Sequence, residues 1–161
     1  STVAQEFKLG KVSIAELEQK AHPRDTAAVA AILFKTGSTK FEYSKADGFK
    51  VVTVMSMRIK IYKKEGYDWA NQEVRFIAGD SYVKEAVHFS EVVTYNLVGG
   101  QIEKTKLKSE GEFEEKVNRF WNKKKITLPN VKEGSVLEFQ YTIRTNNIGL
   151  LREFDFQTDF R

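Results

Sequence analysis

The chain has 161 residues, enough for one domain with a real core and too few for two ordinary ones. With 41% hydrophobic and 30% charged residues it has ordinary globular composition, and no apolar stretch approaches membrane-spanning length. The absence of cysteine excludes disulfides, thiolate metal sites and cysteine nucleophiles, and a net charge of +4, without clustered basic residues interleaved with aromatics, argues against a nucleic-acid partner.

The chain opens at Ser1 with neither methionine nor a signal-like apolar run, which is compatible with a processed or trimmed product, and any export signal would lie upstream. Ser13 and Glu16 form a capping-box pair, and Ile14, Leu17 and Ala21 recur at helical spacing, so a helix is expected over Ser13 to Ala21, ended by Pro23. Ala28 to Phe34 reads as a buried strand closed by Gly37. Thr39 to Ser44 alternates, with Phe41 and Tyr43 on one side, and Asp47-Gly48 turns the chain into its longest patterned stretch.

That stretch, Phe49 to Trp69, is the one around which the sheet is expected to be built. Phe49, Val51, Met55, Met57, Ile59 and Ile61 share one parity, while Lys50, Ser56, Arg58, Lys60 and Lys64 take the other, which predicts one greasy and one wet face. Apolar residues on both parities predict a bend or bulge near Val52 to Val54. Trp69 to Ile77 follows as a return strand, and Ala78 to Tyr82 as a loop.

Val87, Phe89, Val93, Tyr95 and Leu97 share a parity broken by Glu91, and Gly99-Gly100 predicts a two-residue hairpin that sets Leu97 opposite Ile102 and Tyr95 opposite Lys104. The lysine-rich return strand, Gln101 to Lys108, reads as a sheet edge. Ser109 and Glu112 repeat the capping-box spacing, with Phe113, Val117, Phe120 and Trp121 at helical intervals, so one further helical turn is expected there. Lys123, Lys124 and Lys125 read as solvated surface. Ile126 to Leu128 is a short strand ended by Pro129-Asn130, and Gly134 opens a strand over Ser135 to Thr145 with Leu137, Phe139, Tyr141 and Ile143 buried. Asn146-Asn147 and Gly149 turn the chain into a last alternation, Phe154, Phe156 and Phe160 against Asp155, Gln157 and Asp159. The expected fold is mainly β: a single antiparallel β-sandwich domain over residues 1–161, with a short amino-terminal helix and one further helical turn.

Chemistry is thinly signalled. His22 and His88 are the only histidines and stand in unrelated contexts, without a companion ligand or nucleophile at useful spacing, so neither a catalytic site nor a metal site is expected. Asp155 and Asp159 share a strand face, and Glu112, Glu114 and Glu115 crowd the expected helix start, but carboxylates spaced along one element do not make a cleft pair. Tyr67 and Trp69, flanking a turn, are the candidate contact residues, because exposed aromatics stack on sugar rings or anchor protein partners. Trp121 is expected to complete the core.

Four segments in order, GKVSIAELEQKAHPRDTAAVAAILF (Gly10 to Phe34), RIKIYKKEGYDWA (Arg58 to Ala70), YNLVGGQIEKTKL (Tyr95 to Leu107) and ITLPNVKEGSVLEFQYTI (Ile126 to Ile143), resemble the domain of unknown function that precedes a transglutaminase-like domain in exported proteins of certain Gram-negative bacteria. The resemblance implies a noncatalytic accessory or recognition module, amino-terminal in a larger periplasmic or secreted protein. Its partner would be a downstream papain-like domain carrying its own cysteine, histidine and aspartate. It implies no cofactor and brings no functional residues with it. The chain departs from the pattern at its end, where FDFQTDFR (Phe154 to Arg161) stands in place of a Trp-x-Phe-Gln and Ile-Pro segment. A carbohydrate-binding module using Tyr67 and Trp69 is the alternative reading.

Overall fold

The computed structural model describes residues 7–148 of the chain. Among the described residues, eight strands form two antiparallel sheets, preceded by one short helix. The larger sheet has the order β1-β2-β8-β4-β5, with β1 Ala30–Ser44, β2 Gly48–Ile61, β8 Val136–Thr145, β4 Glu85–Val98 and β5 Gln101–Lys106. The smaller has the order β3-β7-β6, with β3 Asn71–Ile77, β7 Trp121–Thr127 and β6 Glu112–Lys116. The expected β-sandwich is therefore present. The last alternation, from Gly149 through Phe160 and including Asp155 and Asp159, lies outside the described residues.

The main core is where the sheets face each other. Ile59 and Ile61 of β2, Leu137, Phe139 and Ile143 of β8, and Val87, Phe89 and Val92 of β4 meet Phe76 of β3, Ile126 of β7 and Leu128 just beyond it. Of the parity expected to be buried on β8, Leu137, Phe139 and Ile143 are buried and Tyr141 partly so, but Val136 and Glu138 of the other parity are buried as well, because the amino-terminal segment covers the back of the sheet.

Two bulges decide which side chains reach that core. In β4, Ser90 pairs with Gln140 and Val93 with Glu138, so Glu91 and Val92 together stand opposite one residue, and Glu91 takes φ 53°. A bulge moves every later side chain to the other face. Val87, Phe89 and Val92 thus enter the main core, whereas Val93 and Tyr95 pack on the back of the sheet with Val12, Leu17 and Val136. The parity break at Glu91 was the mark of this bulge, not an interruption of one continuous face. The second bulge lies in β1, between Ile32 and Phe34, and no register shift occurs at Val52 to Val54, where one was expected.

β1 is one continuous strand of 15 residues running through Gly37, not two short ones. The Gly99-Gly100 hairpin matches the predicted register, Leu97 opposite Ile102 and Tyr95 opposite Lys104, and both glycines take the positive φ that a two-residue turn with matching twist requires. β5 is the sheet edge, as its lysines indicated.

The helix expected after Ser109 is reduced to a three-residue 3-10 turn, Ser109–Gly111, and the chain then runs as the β6–β7 ribbon. Trp121 stands on a strand rather than on a helical stripe. The lysine run finds its reason in this pairing: Lys124 lies 3.7 Å from Glu112 and 4.0 Å from Glu114, Lys125 3.4 Å from Glu115, and Lys123 3.5 Å from Glu73 of β3. Opposite charges facing each other across strands favour the ladder.

The largest departure from expectation is the wet face of β2. Arg58 and Lys60 are 2% and 0% exposed, covered by the segment from Lys8 to Gln19. Within it α1, Ile14–Glu18, is capped by Ser13: the Ser13 hydroxyl accepts from the Glu16 N–H at 3.1 Å, and the Glu16 carboxylate accepts from the Ser13 N–H at 2.7 Å. This is the capping box read from the sequence, on a helix shorter than expected. The other Glu16 oxygen accepts from Arg58 Nη1 at 2.9 Å. Arg58 Nε donates to Glu138 at 2.7 Å, Nη2 donates to the Lys8 carbonyl at 2.7 Å, and the remaining Glu138 oxygen accepts from the Gly10 N–H at 2.7 Å.

Removing one partner of such a buried pair leaves the other charge uncompensated, whereas replacing both with apolar residues is far milder. Arg58→Ala is expected to lower the unfolding free energy by about 3–5 kcal/mol, and the double variant Arg58→Met/Glu138→Leu by much less. Urea denaturation of the three proteins measures both.

Lys60 gives a pH signature. Its ammonium donates to the Leu17 carbonyl at 2.9 Å and the Gly134 carbonyl at 2.7 Å. Burial, reinforced by Lys20 and opposed by Glu16, lowers its pKa from 10.5 to about 8. Between those values the unfolded chain binds more protons than the folded one, so stability rises with pH. Tyr95 acts oppositely. Burial and the Glu138 carboxylate raise its pKa from 10.0 to about 12, so above pH 10 the unfolded phenol ionises first and stability falls. Unfolding free energy is expected to climb from about pH 8 to 10 and then turn over, and Lys60→Met to flatten the climb. Chemical denaturation across this range checks it, and an unchanged climb in the variant would refute the assignment to Lys60.

Candidate functional site

β2 ends at Ile61, and the following segment forms a 3-10 helix, Lys64–Ala70, that carries both sequence candidates. Gly66 fixes its position: a Cβ there would sit 2.5 Å from the Val29 carbonyl oxygen, so only glycine allows this helix to approach the start of β1. Tyr67 and Trp69 are both partly buried and packed against the main core. The Tyr67 hydroxyl accepts from the Glu133 N–H at 3.0 Å, which ties the phenol to the loop before β8. The two rings therefore belong to the body of the domain and do not stand out together as a flat stacking platform.

Trp69 also lines a cleft of about 420 Å³ between the sheets. Met57, Phe89, Phe139 and Tyr141 line it from the large sheet, Val74 from β3, and Lys35, Asp68, Asn71, Gln72 and Glu73 supply its polar groups. Burial lowers the pKa of Lys35. The cleft exists because β3 is an edge of the small sheet and β1 an edge of the large one, and the two edges do not meet.

A second surface lies at the tip of the β1–β2 hairpin and was not singled out from the sequence. Beyond the bulge, β1 presents Lys35, Thr39, Phe41 and Tyr43 on the core-side face, opposite Met57, Thr53, Val51 and Phe49 of β2. Phe41, Tyr43 and Phe49 are 65%, 64% and 58% exposed, and the Tyr43 and Phe49 rings lie 4.8 Å apart. The opposite face of the same hairpin is charged, with ion pairs between Lys40 and Glu42 at 3.3 Å and Arg144 and Glu42 at 3.8 Å, and Lys50 lies 3.7 Å from Asp47 of the turn. Aromatic rows at alternate positions on both arms of one hairpin were the available signal. Burial expectations set it aside, because parity alone does not say where the covering sheet ends.

The histidines are apart from both surfaces. His22 accepts from the Arg24 N–H at 3.2 Å and meets the Tyr62 ring edge-on, while His88 is exposed on β4. Among the described residues, no cluster of three histidine or acidic side chains is placed to hold a metal ion, and no helix is long and apolar enough to cross a membrane.

No protein-family model matches the chain, and no curated protein matches it. Among solved structures, it is similar to a candidate protease from Parabacteroides distasonis, with a TM-score of 0.50 and 12% sequence identity over 73% of this chain. The chain spans 23% of that protein's length, and the likeness is one of fold.

Proposed function

We propose that the chain is a noncatalytic accessory or recognition module of an extracytoplasmic transglutaminase-like protein, and that it works by surface contact. The observation that carries this reading is the aromatic hairpin tip. Exposed aromatic side chains gathered on one face of a hairpin are the composition of a contact surface, since such rings bury large area at low entropic cost. The sequence resemblance supplies the partner, a papain-like domain later in the same polypeptide. A fold match to under a quarter of a longer protein described as a candidate protease is consistent with a domain that accompanies a catalytic one.

The coding sequence beyond Arg161 is the first test. The reading expects a domain with cysteine, histidine and aspartate in papain-like order, and a stop codon directly after Arg161 would overturn it. With that domain in hand, the separate chain is expected to bind it, to show no hydrolase or acyl-transfer turnover of its own, and to lose at least tenfold in affinity in a Phe41→Ser/Tyr43→Ser/Phe49→Ser variant. Calorimetry and substrate assays read the two properties independently.

A further inference from the structure

The two edges of the large sheet are built differently. β5 has six residues and carries Lys104 and Lys106, the short lysine-bearing form that keeps an edge from pairing. β1 has 15 residues, and from Thr36 to Phe41 every one is exposed, as are Tyr43 and Ser44. Among the described residues, no strand pairs with its outer side. A long uncovered edge with aromatic side chains is the form that accepts another strand.

The backbone of this edge has a defined direction. The Ile61 N–H donates to the Ser135 carbonyl beside β8, and the Tyr62 N–H to the Val29 carbonyl beside β1. Odd-numbered residues of β2 therefore turn their backbone groups to β8, and even-numbered ones to β1. Beyond its bulge β1 pairs even residues with even ones: Ser38 with Val54, Lys40 with Val52, Glu42 with Lys50. Those residues of β1 are committed to β2, so Gly37, Thr39, Phe41 and Tyr43 direct their N–H and carbonyl groups outward.

A second copy of the same edge fits these constraints in one register. Two copies of β1 running antiparallel about a twofold axis normal to the sheet pair residues of equal parity, and the axis passes through an outward-directed residue. Centred on Phe41, the pairing sets Lys40 of each copy opposite Glu42 of the other on the charged face. On the aromatic face it sets Phe41 opposite Phe41 and Thr39 opposite Tyr43. Centred on Thr39, it would instead set Tyr43 opposite Lys35 and Glu42 opposite Thr36. Centred on Tyr43, it would set Phe41 opposite Lys45 of the turn, and centred on Gly37, Lys40 opposite Phe34. Of these registers, the Phe41 centre alone brings opposite charges together, and it also pairs aromatic rings.

We propose that two copies of this chain join through β1, antiparallel and centred on Phe41, so that their large sheets form one continuous sheet. The contact is isologous: main-chain bonds supply its affinity, and the alternating side chains fix its register. It goes beyond the proposed function and leaves that surface in place, because Phe41, Tyr43 and Phe49 of both copies then lie on the same side of the joined sheet. An interface confined to one strand edge is small, which puts it in the weak, reversible class.

The intact chain, with no other protein present, is enough for the test, so its outcome is separate from that of the proposed function. Sedimentation velocity over a concentration series is expected to show a monomer–dimer equilibrium. Lys40→Glu and Glu42→Lys each place like charges opposite one another at both contacts, and each is expected to weaken the dimer about tenfold. An equal mixture of the two variants restores opposite charges and is expected to associate as the unsubstituted chain does. Because the sequence has no cysteine, the register can also be read by mild oxidation. Phe41→Cys is expected to bridge between copies, since a hydrogen-bonded antiparallel pair holds its Cα atoms about 5.5 Å apart, within disulfide range. Thr39→Cys or Tyr43→Cys alone leaves the two thiols offset along the strands by about 13 Å, and neither is expected to bridge. A chain that stays monomeric at every concentration overturns the proposal. So does a mixture that associates no better than either variant alone, or bridging that is stronger at Thr39→Cys or Tyr43→Cys than at Phe41→Cys.

Discussion

Three charged side chains buried behind the large sheet set the terms for the whole amino-terminal region. Arg58 and Lys60 of β2 and Glu138 of β8 are adjacent on one face, each 2% exposed or less. Buried charge is tolerable only when its hydrogen-bonding capacity is met. The sheet cannot meet it alone, because its backbone groups are committed to the ladder. The segment from Lys8 to Gln19 supplies the missing partners: the carbonyls of Lys8 and Leu17, the N–H of Gly10 and the carboxylate of Glu16. That segment owes little to helix propensity, since α1 has five residues, far below the length at which a helix sustains itself. It is held by these polar contacts together with Val12 and Leu17, which pack on Val93, Tyr95 and Val136.

The dependence is mutual. Glu16 both closes the capping box and binds Arg58, so the helix start and the buried guanidinium fix each other. The β4 bulge belongs to the same arrangement. By turning Val93 and Tyr95 to the back face it gives the amino-terminal segment an apolar seat beside the charges, while Phe89 and Val92 remain in the front core.

What the sequence revealed divides along the range of the interaction involved. Local chemistry was legible: the Ser13–Glu16 box, the Gly99-Gly100 turn with its register, and the front face of β8, though not the burial of its back face. The Arg58 network was not, because its carboxylate partners lie 42 and 80 residues away and long basic side chains at alternate positions look the same on a wet face as on a covered one. β6 and all of β7 before Ile126 were hidden for another reason. WNKKKIT has no period-two pattern, and its strand character comes from facing the acidic run EFEEK and from the buried Ile126. Complementary charge runs separated by a short connection were the usable signal, and the capping-box spacing of Ser109 and Glu112 obscured it. Of the candidate contact residues, the tether of Tyr67 to Glu133 could not be read locally, since it joins positions 66 apart.

Both surfaces described above follow from the unequal size of the two sheets. Strands β1 and β2 continue well past the reach of the three-stranded sheet: their core-side face lines the cleft at Met57, stays buried at Met55 and Val51, and becomes exposed at Phe49. The hydrophobic effect alone would favour trimming that overhang or covering all of it. The two parts of the overhang differ in kind. The cleft adjoins an edge strand of the small sheet and is lined from both sheets, whereas the tip gathers its exposed rings on the two arms of one hairpin.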